Sequence, residues 1–303
     1  MINKIFYITI GAAITFVLFP QPAQDNQSGI SPIVLGTSTQ NVNIEKKYFS
    51  APEMAISLSP PTLTTRAALA YDLNSDIILY SNNLNTRLPI ASLTKLVTAL
   101  VVVNNSDLEN VVTVEKADTQ VVGSNMGLVA GEKIKILDLL YGMLVSSSND
   151  AAMALARSVG GSTESFNALM NKEAQKLKLL DTHFTNPVGW DLEDNYSTVL
   201  DLKIILSEFF KNSTLSEIVN TREKTVSSID SNYSHKLIST NKLLLENSNV
   251  SGVKTGFTTK ALGNLIIKIN KSNAQVVTIV LNSQEREQDT EKLIDWLFTV
   301  YRW

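Results

Sequence analysis

Apolar runs with a strand period lie on both sides of the middle of this chain. "RAALAYDLNSDIILYS" (66–81) has two partly alternating apolar runs around a polar turn, a pattern that predicts a β-hairpin. "SGVKTGF" (251–257), "GNLIIKIN" (263–270) and "AQVVTIVLN" (274–282) predict three further strands, with a hairpin turn at "NKSN" (270–273).

The region between these strands has helical lengths and periods. Ser92 opens "SLTKLVTALVVV", and residues 133–159 contain two helical runs interrupted by three serines and an Asn-Asp pair. Residues 164–179 and 197–211 predict amphipathic helices, and 286–303 predict a last helix with acidic residues early and Arg302 at its end. We therefore expect a mixed α/β fold, with an antiparallel sheet flanked by helices and a helical lobe.

The first twenty residues predict a signal or anchor segment. Lys4 precedes fifteen residues without a charge, a length between a signal-peptide core and a full membrane span. No cleavage site of the A-x-A type is evident, so we favour an uncleaved anchor over a cleaved signal. Both interpretations place the rest of the chain outside the cytoplasm, in the cell envelope. A buried core helix is a poor alternative, because nothing nearby could cover it.

Residues 21–61 are rich in Gln, Asn, Ser, Thr and Pro and show little periodicity, which predicts a linker. The simplest division leaves one catalytic domain over 62–303. Because the sequence ends at Trp303, we expect any membrane attachment to come from residues 1–20.

Composition removes several classes of chemistry. The chain has 303 residues, a formal charge of −3 and no cysteine, so it has no basic footprint for nucleic acid and no thiol chemistry. Its two histidines, His183 and His235, lack a metal-ligand spacing, and we expect them to be structural or surface residues. We expect no metal and no cofactor, so the chemistry must come from Ser, Lys, Asp, Glu, Tyr or Arg.

Ser92 and Lys95 are candidates for a nucleophile and its base. Three residues apart on a helix they share one face, within reach of each other, and apolar surroundings can lower the pKa of a lysine. The spacing alone is weak, since it recurs at Ser239–Lys242 and Ser251–Lys254. A helix N-cap serine beside a snorkelling lysine is the structural alternative.

Two later motifs strengthen the case. "SSN" (147–149) interrupts a strongly apolar helical region, where polar residues either cap a helix or serve a site. "KTG" (254–256) occurs once, on a predicted strand, and its glycine lets a substrate backbone lie against that strand.

The ordered set S-x-x-K, S-x-N, K-T-G is the signature of penicillin-recognising serine enzymes. The chain resembles the serine D-alanyl-D-alanine carboxypeptidases, a family of low-molecular-mass penicillin-binding proteins, from about Ala67 to Trp296. The stretches that carry the resemblance are "ASLTKLVTAL", "LLYGMLVSSSNDAA", "THFTNPVGWD", "STNKLLLEN", "GVKTGFT" and "REQDTEKLIDW". The resemblance implies a transpeptidase/β-lactamase-like fold, peptidoglycan stem peptides as substrates and β-lactams as covalent inhibitors.

The resemblance also implies roles for the catalytic residues. Ser92 attacks the carbonyl between two D-alanines and becomes the acyl-enzyme, Lys95 is the base, and Ser147 relays the proton to the leaving amine.

Substrate-binding roles are implied in the same way. Asn149 holds the substrate amide, and Lys254, Thr255 and Arg286 bind the terminal carboxylate beside Gly256. The backbone N–H groups of Ser92 and Phe257 form the oxyanion hole.

Three other functions stay open. Shorter relatives cut cross-links, so a D,D-endopeptidase is the first alternative. A class A β-lactamase would need S-D-N and an E-x-x-x-N loop, where this chain has S-S-N and Asp191-x-x-x-Asn195. A non-catalytic penicillin sensor should have lost Ser92 or Lys95. Ser148 stands where the family commonly has glycine, which we expect to affect loop geometry only.

Overall fold

A computed structural model describes residues 51–191 and 194–303. The predicted anchor and most of the predicted linker lie outside this part of the chain, as do Leu192 and Glu193. In the described residues no helix has both the length and the apolar character that a membrane crossing requires.

The centre of the fold is a five-stranded antiparallel sheet with the order β3-β2-β10-β9-β8. The strands of the structure are β1 (Glu53–Met54), β2 (Ala67–Asp72), β3 (Ile78–Asn82), β4 (Val111–Thr113), β5 (Lys133–Lys135), β6 (Glu223–Ser227), β7 (Ser234–Ile238), β8 (Val250–Thr258), β9 (Leu262–Lys271), β10 (Ala274–Ser283) and β11 (Tyr301–Arg302). The hairpin at 66–81 and the three later strands are confirmed, and Ser272, at the predicted turn, has a φ of 54°.

The helices are α1 (Lys95–Asn105), α2 (Lys116–Thr119), α3 (Ile136–Val145), α4 (Asn149–Gly160), α5 (Thr163–Lys176), α6 (Val199–Phe209), α7 (Ser213–Val219), α8 (Lys242–Glu246) and α9 (Arg286–Val300). A 3₁₀ turn over Ala91–Thr94 leads into α1. The predicted mixed α/β class, with a sheet and a helical lobe, is confirmed.

Strand periodicity explains why both faces of the sheet are covered. Successive side chains point to opposite faces, so Val276 packs with the cluster under α9 and Val277 packs with the helical lobe. Helix α1 runs inside that lobe, and its residues 95–102 are all buried. A helix surrounded in this way needs apolar residues on every face, as its sequence has.

The ends of the domain differ from the predictions. The last helix ends at Val300 rather than continuing to Arg302, because Tyr301 and Arg302 pair with Met54 and Glu53. Arg302 still donates to the carbonyls of Phe298 and Thr299, so its charge meets the end of the helix from the strand.

Part of the predicted linker, residues 51–61, is attached to the domain. Besides strand β1, the N–H of Ala55 donates to Val300 O and the Trp296 indole donates to Leu58 O. Residues 51–61 contribute only backbone groups to these bonds, and backbone groups leave no periodic pattern in the side chains. The boundary at residue 62 stays a prediction.

Candidate active site

Three chain segments meet around the backbone of Ser92, and two glycines allow them to approach. A Cβ on Gly189 would lie 1.9 Å from the carbonyl oxygen of Ala91, and a Cβ on Gly256 would lie 3.1 Å from the Ser92 nitrogen. Ala91 itself has a φ of 48°. The turn at Ser92 is therefore packed between the loop that carries Gly189 and strand β8.

Ser92 lies in the 3₁₀ turn, and Lys95 begins α1. One turn therefore separates the two side chains, and Lys95 Nζ lies 2.9 Å from Ser92 Oγ. Ser92 is partly exposed, whereas Lys95 is fully buried. The structure thus brings together the pair that the S-x-x-K spacing predicts.

Lys95 Nζ has two further partners, Asn149 Oδ1 at 2.7 Å and Val188 O at 2.8 Å. Both are oxygens that can only accept, so each takes one N–H of the amine. A neutral amine has two N–H groups and one lone pair. In that form the lone pair of Lys95 remains directed at the hydroxyl of Ser92, which is the geometry a base requires.

The electrostatic surroundings favour that neutral form. Burial lowers the pKa of Lys95 well below the usual lysine value, and the nearby positive charge of Lys254 lowers it further. The carboxylate of Asp150 acts in the opposite direction. Lys95 is therefore far more easily deprotonated than an exposed lysine.

The second motif contributes Asn149, the first residue of α4. Its Nδ2 donates to Val122 O at 2.6 Å, so its Oδ1 faces Lys95. Ser147 is buried with a φ of 61°, and in the described residues its hydroxyl is not hydrogen-bonded to Ser92 or Lys95. Ser148 has a φ of −66°, a value open to any residue, so its backbone conformation does not require glycine.

The third motif lies on β8, at an edge of the sheet. Lys254 is 1% exposed, and burial, with Arg286 nearby, lowers its pKa to about 7. The hydroxyls of Thr255 and Thr240 lie 2.6 Å apart. Phe257 is exposed, one residue beyond Gly256.

Arg286, the first residue of α9, reaches the same strand. Its Nη1 donates to Gly256 O at 2.9 Å and its Nε donates to Glu287 at 2.8 Å. The guanidinium is thus held beside β8 with 19% of its side chain exposed. This position next to Lys254 suits a shared role in binding an anion.

Sequence reasoning missed several groups of the site. The Val188 carbonyl and Thr240 carried no signal of their own, because a backbone acceptor and a lone hydroxyl occur everywhere. Asp150 was also missed, although the sequence held a signal for it: a charged residue after Asn149 in an apolar helix needs hydrogen-bond partners in the core.

The loop after Gly189 is attached to β8 by Asp191. Its carboxylate accepts from the hydroxyl of Thr258 and from the N–H of Lys260. Asn195 Oδ1 accepts from Thr185 N at 3.3 Å. Asp191 and Asn195 stand where a β-lactamase loop would have Glu and Asn, and both hold neighbouring segments of the chain together. Glu193 lies outside the described residues.

Comparison with known proteins gives a consistent result. Residues 54–285 match the family described as Peptidase_S11, D-alanyl-D-alanine carboxypeptidase. The chain is 31% identical over 244 residues to the D-alanyl-D-alanine carboxypeptidase DacF of Bacillus subtilis, covering 78% of this chain and 62% of that protein. It is 33% identical over 260 residues to the D-alanyl-D-alanine endopeptidase of Pseudomonas aeruginosa, covering 81% and 84%.

Solved structures agree with this match. The crystal structure of the Streptomyces K15 DD-transpeptidase has a TM-score of 0.76 and 34% identity, over 80% of this chain and all of that one. The chain spans less than two thirds of some carboxypeptidase relatives, 62% of DacF and 65% of DacA from Haemophilus influenzae.

The lowered pKa of Lys254 predicts that its buried charge lowers the free energy of unfolding, by an amount that depends on pH. Between about pH 7 and 10.5 the folded protein binds fewer protons at Lys254 than the unfolded chain does, so its stability rises with pH in that window. We expect Lys254→Met to be more stable than the parent protein at pH 6–7, with the difference shrinking towards pH 10.

Urea unfolding at several pH values measures the difference, with Lys236→Met as the control for loss of an exposed lysine. A Lys254→Met difference with the same pH dependence as the Lys236→Met control would contradict the burial of a charge at Lys254.

Proposed function

The chain belongs to the D-alanyl-D-alanine carboxypeptidase family, and we propose that it removes the terminal D-alanine from peptidoglycan stem pentapeptides through an acyl-enzyme on Ser92. The observation that carries the proposal is the environment of Lys95 Nζ. Two acceptor-only oxygens take its N–H groups, and its third partner is the Ser92 hydroxyl.

In the first step Lys95 takes the hydroxyl proton and Ser92 Oγ attacks the carbonyl carbon between the two D-alanines. The negative charge that develops on the carbonyl oxygen is stabilised by the N–H groups of Ser92 and Phe257. The C–N bond then breaks, and the D-alanine amine leaves with a proton that Ser147 relays. Water hydrolyses the ester, which restores Ser92 and releases the shortened peptide.

The carboxylate of the terminal D-alanine would bind Lys254, Thr255 and Arg286. With a pKa of about 7 in the free site, Lys254 is poised between its charged and neutral forms, and an incoming carboxylate favours the charged form. A charged Lys254 in turn lowers the pKa of Lys95.

A substrate of this kind lies outside the cytoplasm, which fits the exported domain that the N-terminal residues predict. We assign the protein to the cell envelope, with attachment to the membrane through residues 1–20. β-Lactams, which carry a strained amide and a carboxylate, would acylate Ser92 in the same manner.

A second candidate function is cleavage of cross-linked peptides by the same site. The observation that favours it is likeness: the chain is 33% identical to the endopeptidase of Pseudomonas aeruginosa, about as similar as it is to the carboxypeptidases at 31% and 32%. Both functions use the same acylation step. They differ in whether the leaving group carries a free terminal carboxylate or belongs to a second stem peptide.

The acylation step is tested with a fluorescent penicillin and two peptides. We expect one labelled peptide that contains Ser92, no label in Ser92→Ala, and full labelling in the control Ser239→Ala, which alters another S-x-x-K serine. Mass analysis of a pentapeptide and a cross-linked dimer after incubation separates carboxypeptidase from endopeptidase. Label that persists in Ser92→Ala would contradict the assignment of the nucleophile.

The carboxylate site is tested by comparing a free-acid substrate with its amide. Loss of a charge-assisted hydrogen bond costs about 1.5–3 kcal/mol, or roughly tenfold to over a hundredfold in acylation efficiency. Arg286→Ala should lower kcat/KM for the free acid and shrink its advantage over the amide, with Arg302→Ala as the control. A ratio that stays at the parent value would mean that Arg286 has no part in reading the carboxylate.

A further inference from the structure

A loop over residues 121–130 supplies both acceptors that fix Asn149. Val122 O accepts from the Asn149 side chain and Ser124 O accepts from its backbone N–H, each at 2.6 Å. Gly123, with a φ of 99°, passes so close that a Cβ would lie 2.6 Å from Asn149 Nδ2. The loop therefore orients the Asn149 amide so that its oxygen, and not its nitrogen, faces Lys95.

Asp150 holds the loop in place. Its carboxylate is 2% exposed and accepts from three successive loop N–H groups, those of Met126 at 3.1 Å, Gly127 at 3.0 Å and Leu128 at 3.1 Å. It also accepts from the N–H of Ala151 at 2.8 Å. Among the residues that the structure describes, the hydrogen-bond donors to this carboxylate are four backbone N–H groups and no cation.

A second buried pair secures the far end of the loop. Glu132 accepts from Val129 N at 3.1 Å and lies 2.8 Å from His235 Nε2. His235, on strand β7, also reaches Met126 O through Nδ1 at 3.1 Å. The loop has no regular secondary structure of its own, so these side chains supply the bonds that a helix or a sheet would otherwise make.

We propose that Asp150 is a positioning residue for the base: its carboxylate holds the 121–130 loop against Asn149, and Asn149 in turn orients Lys95. This inference rests on the proposed function, since it concerns the same base. Asp150 acts through Asn149 and Lys95.

Asp150 also acts on the pKa of Lys95 through its charge. The direction of that change follows from the groups that face Lys95. Burial lowers the pKa of Lys95, Lys254 on β8 lowers it further, and Asp150 on α4 raises it. The loop that carries Gly189 contributes the uncharged carbonyl of Val188, and the turn over Ala91–Thr94 contributes the hydroxyl of Ser92. Without the Asp150 charge, burial and Lys254 act unopposed, so the pKa of Lys95 falls.

The test measures the rate of acylation by a penicillin against pH, for the full chain and its variants. In Asp150→Asn the amide nitrogen cannot accept the loop N–H groups, so we expect the maximal rate to fall by about tenfold or more. The midpoint of the acidic limb should also move to lower pH, because the negative charge that raises the pKa of Lys95 is gone.

Two further variants separate position from charge. Gly123→Ala displaces Asn149 but keeps the Asp150 charge, so we expect a lower rate with an unchanged midpoint. Asp118→Asn alters another buried carboxylate, one paired with Arg157, and should leave the midpoint where it is. A purely structural role for Asp150 would lower the rate without moving the midpoint.

The parent protein separates failure of this inference from failure of the proposed function. If the parent is not acylated at Ser92, the proposed function fails. If the parent is acylated and Asp150→Asn keeps its midpoint, only the role of Asp150 is overturned. Should Asp150→Asn not fold by circular dichroism, Gly123→Ala decides, because a parent-like rate in that variant overturns the role of the loop.

Discussion

Two lysines buried next to each other, with neutral hydrogen-bond partners, are the constraint on which this site depends. Lys95 bonds to a hydroxyl, an amide oxygen and a carbonyl, and Lys254 bonds to the Thr255 carbonyl. Burying an ammonium in such surroundings is costly, so the amine tends to lose its proton instead. The same cost that makes these positions unfavourable for stability makes Lys95 a usable base without a histidine.

Close packing of backbone around Ser92 makes that arrangement possible. Gly189 and Gly256 let a loop and an edge strand lie against the turn over Ala91–Thr94, and Lys95, which follows this turn, is fully buried. Strand β8 has β9 on one side only, so its other edge faces this turn and can offer backbone groups to an extended peptide. In the proposed mechanism, catalysis and substrate binding therefore share one strand, and Lys254 takes part in both.

The sequence predicted the parts of this molecule that rest on periodicity and on ordered motifs. The central strands, the helix pair at 133–159 and the Ser92–Lys95 pair follow from short-range patterns, which a single sequence displays directly. The 121–130 loop could not be predicted in this way, because it has no period and three of its N–H groups are held by Asp150, which lies 22 to 24 residues further along the chain. Ser147 was assigned from resemblance, and its relay role stays a prediction.

The protonation state of Lys95 is the central claim, and NMR of the protein with ¹³C-labelled lysine side chains measures it directly. The Cε signal of Lys95, assigned by its absence in Lys95→Arg, should titrate well below the usual lysine pKa of 10.5. In Lys254→Met its midpoint should move to higher pH, because a neighbouring positive charge is gone. A Cε signal that stays in the ammonium position up to pH 9 would contradict the account.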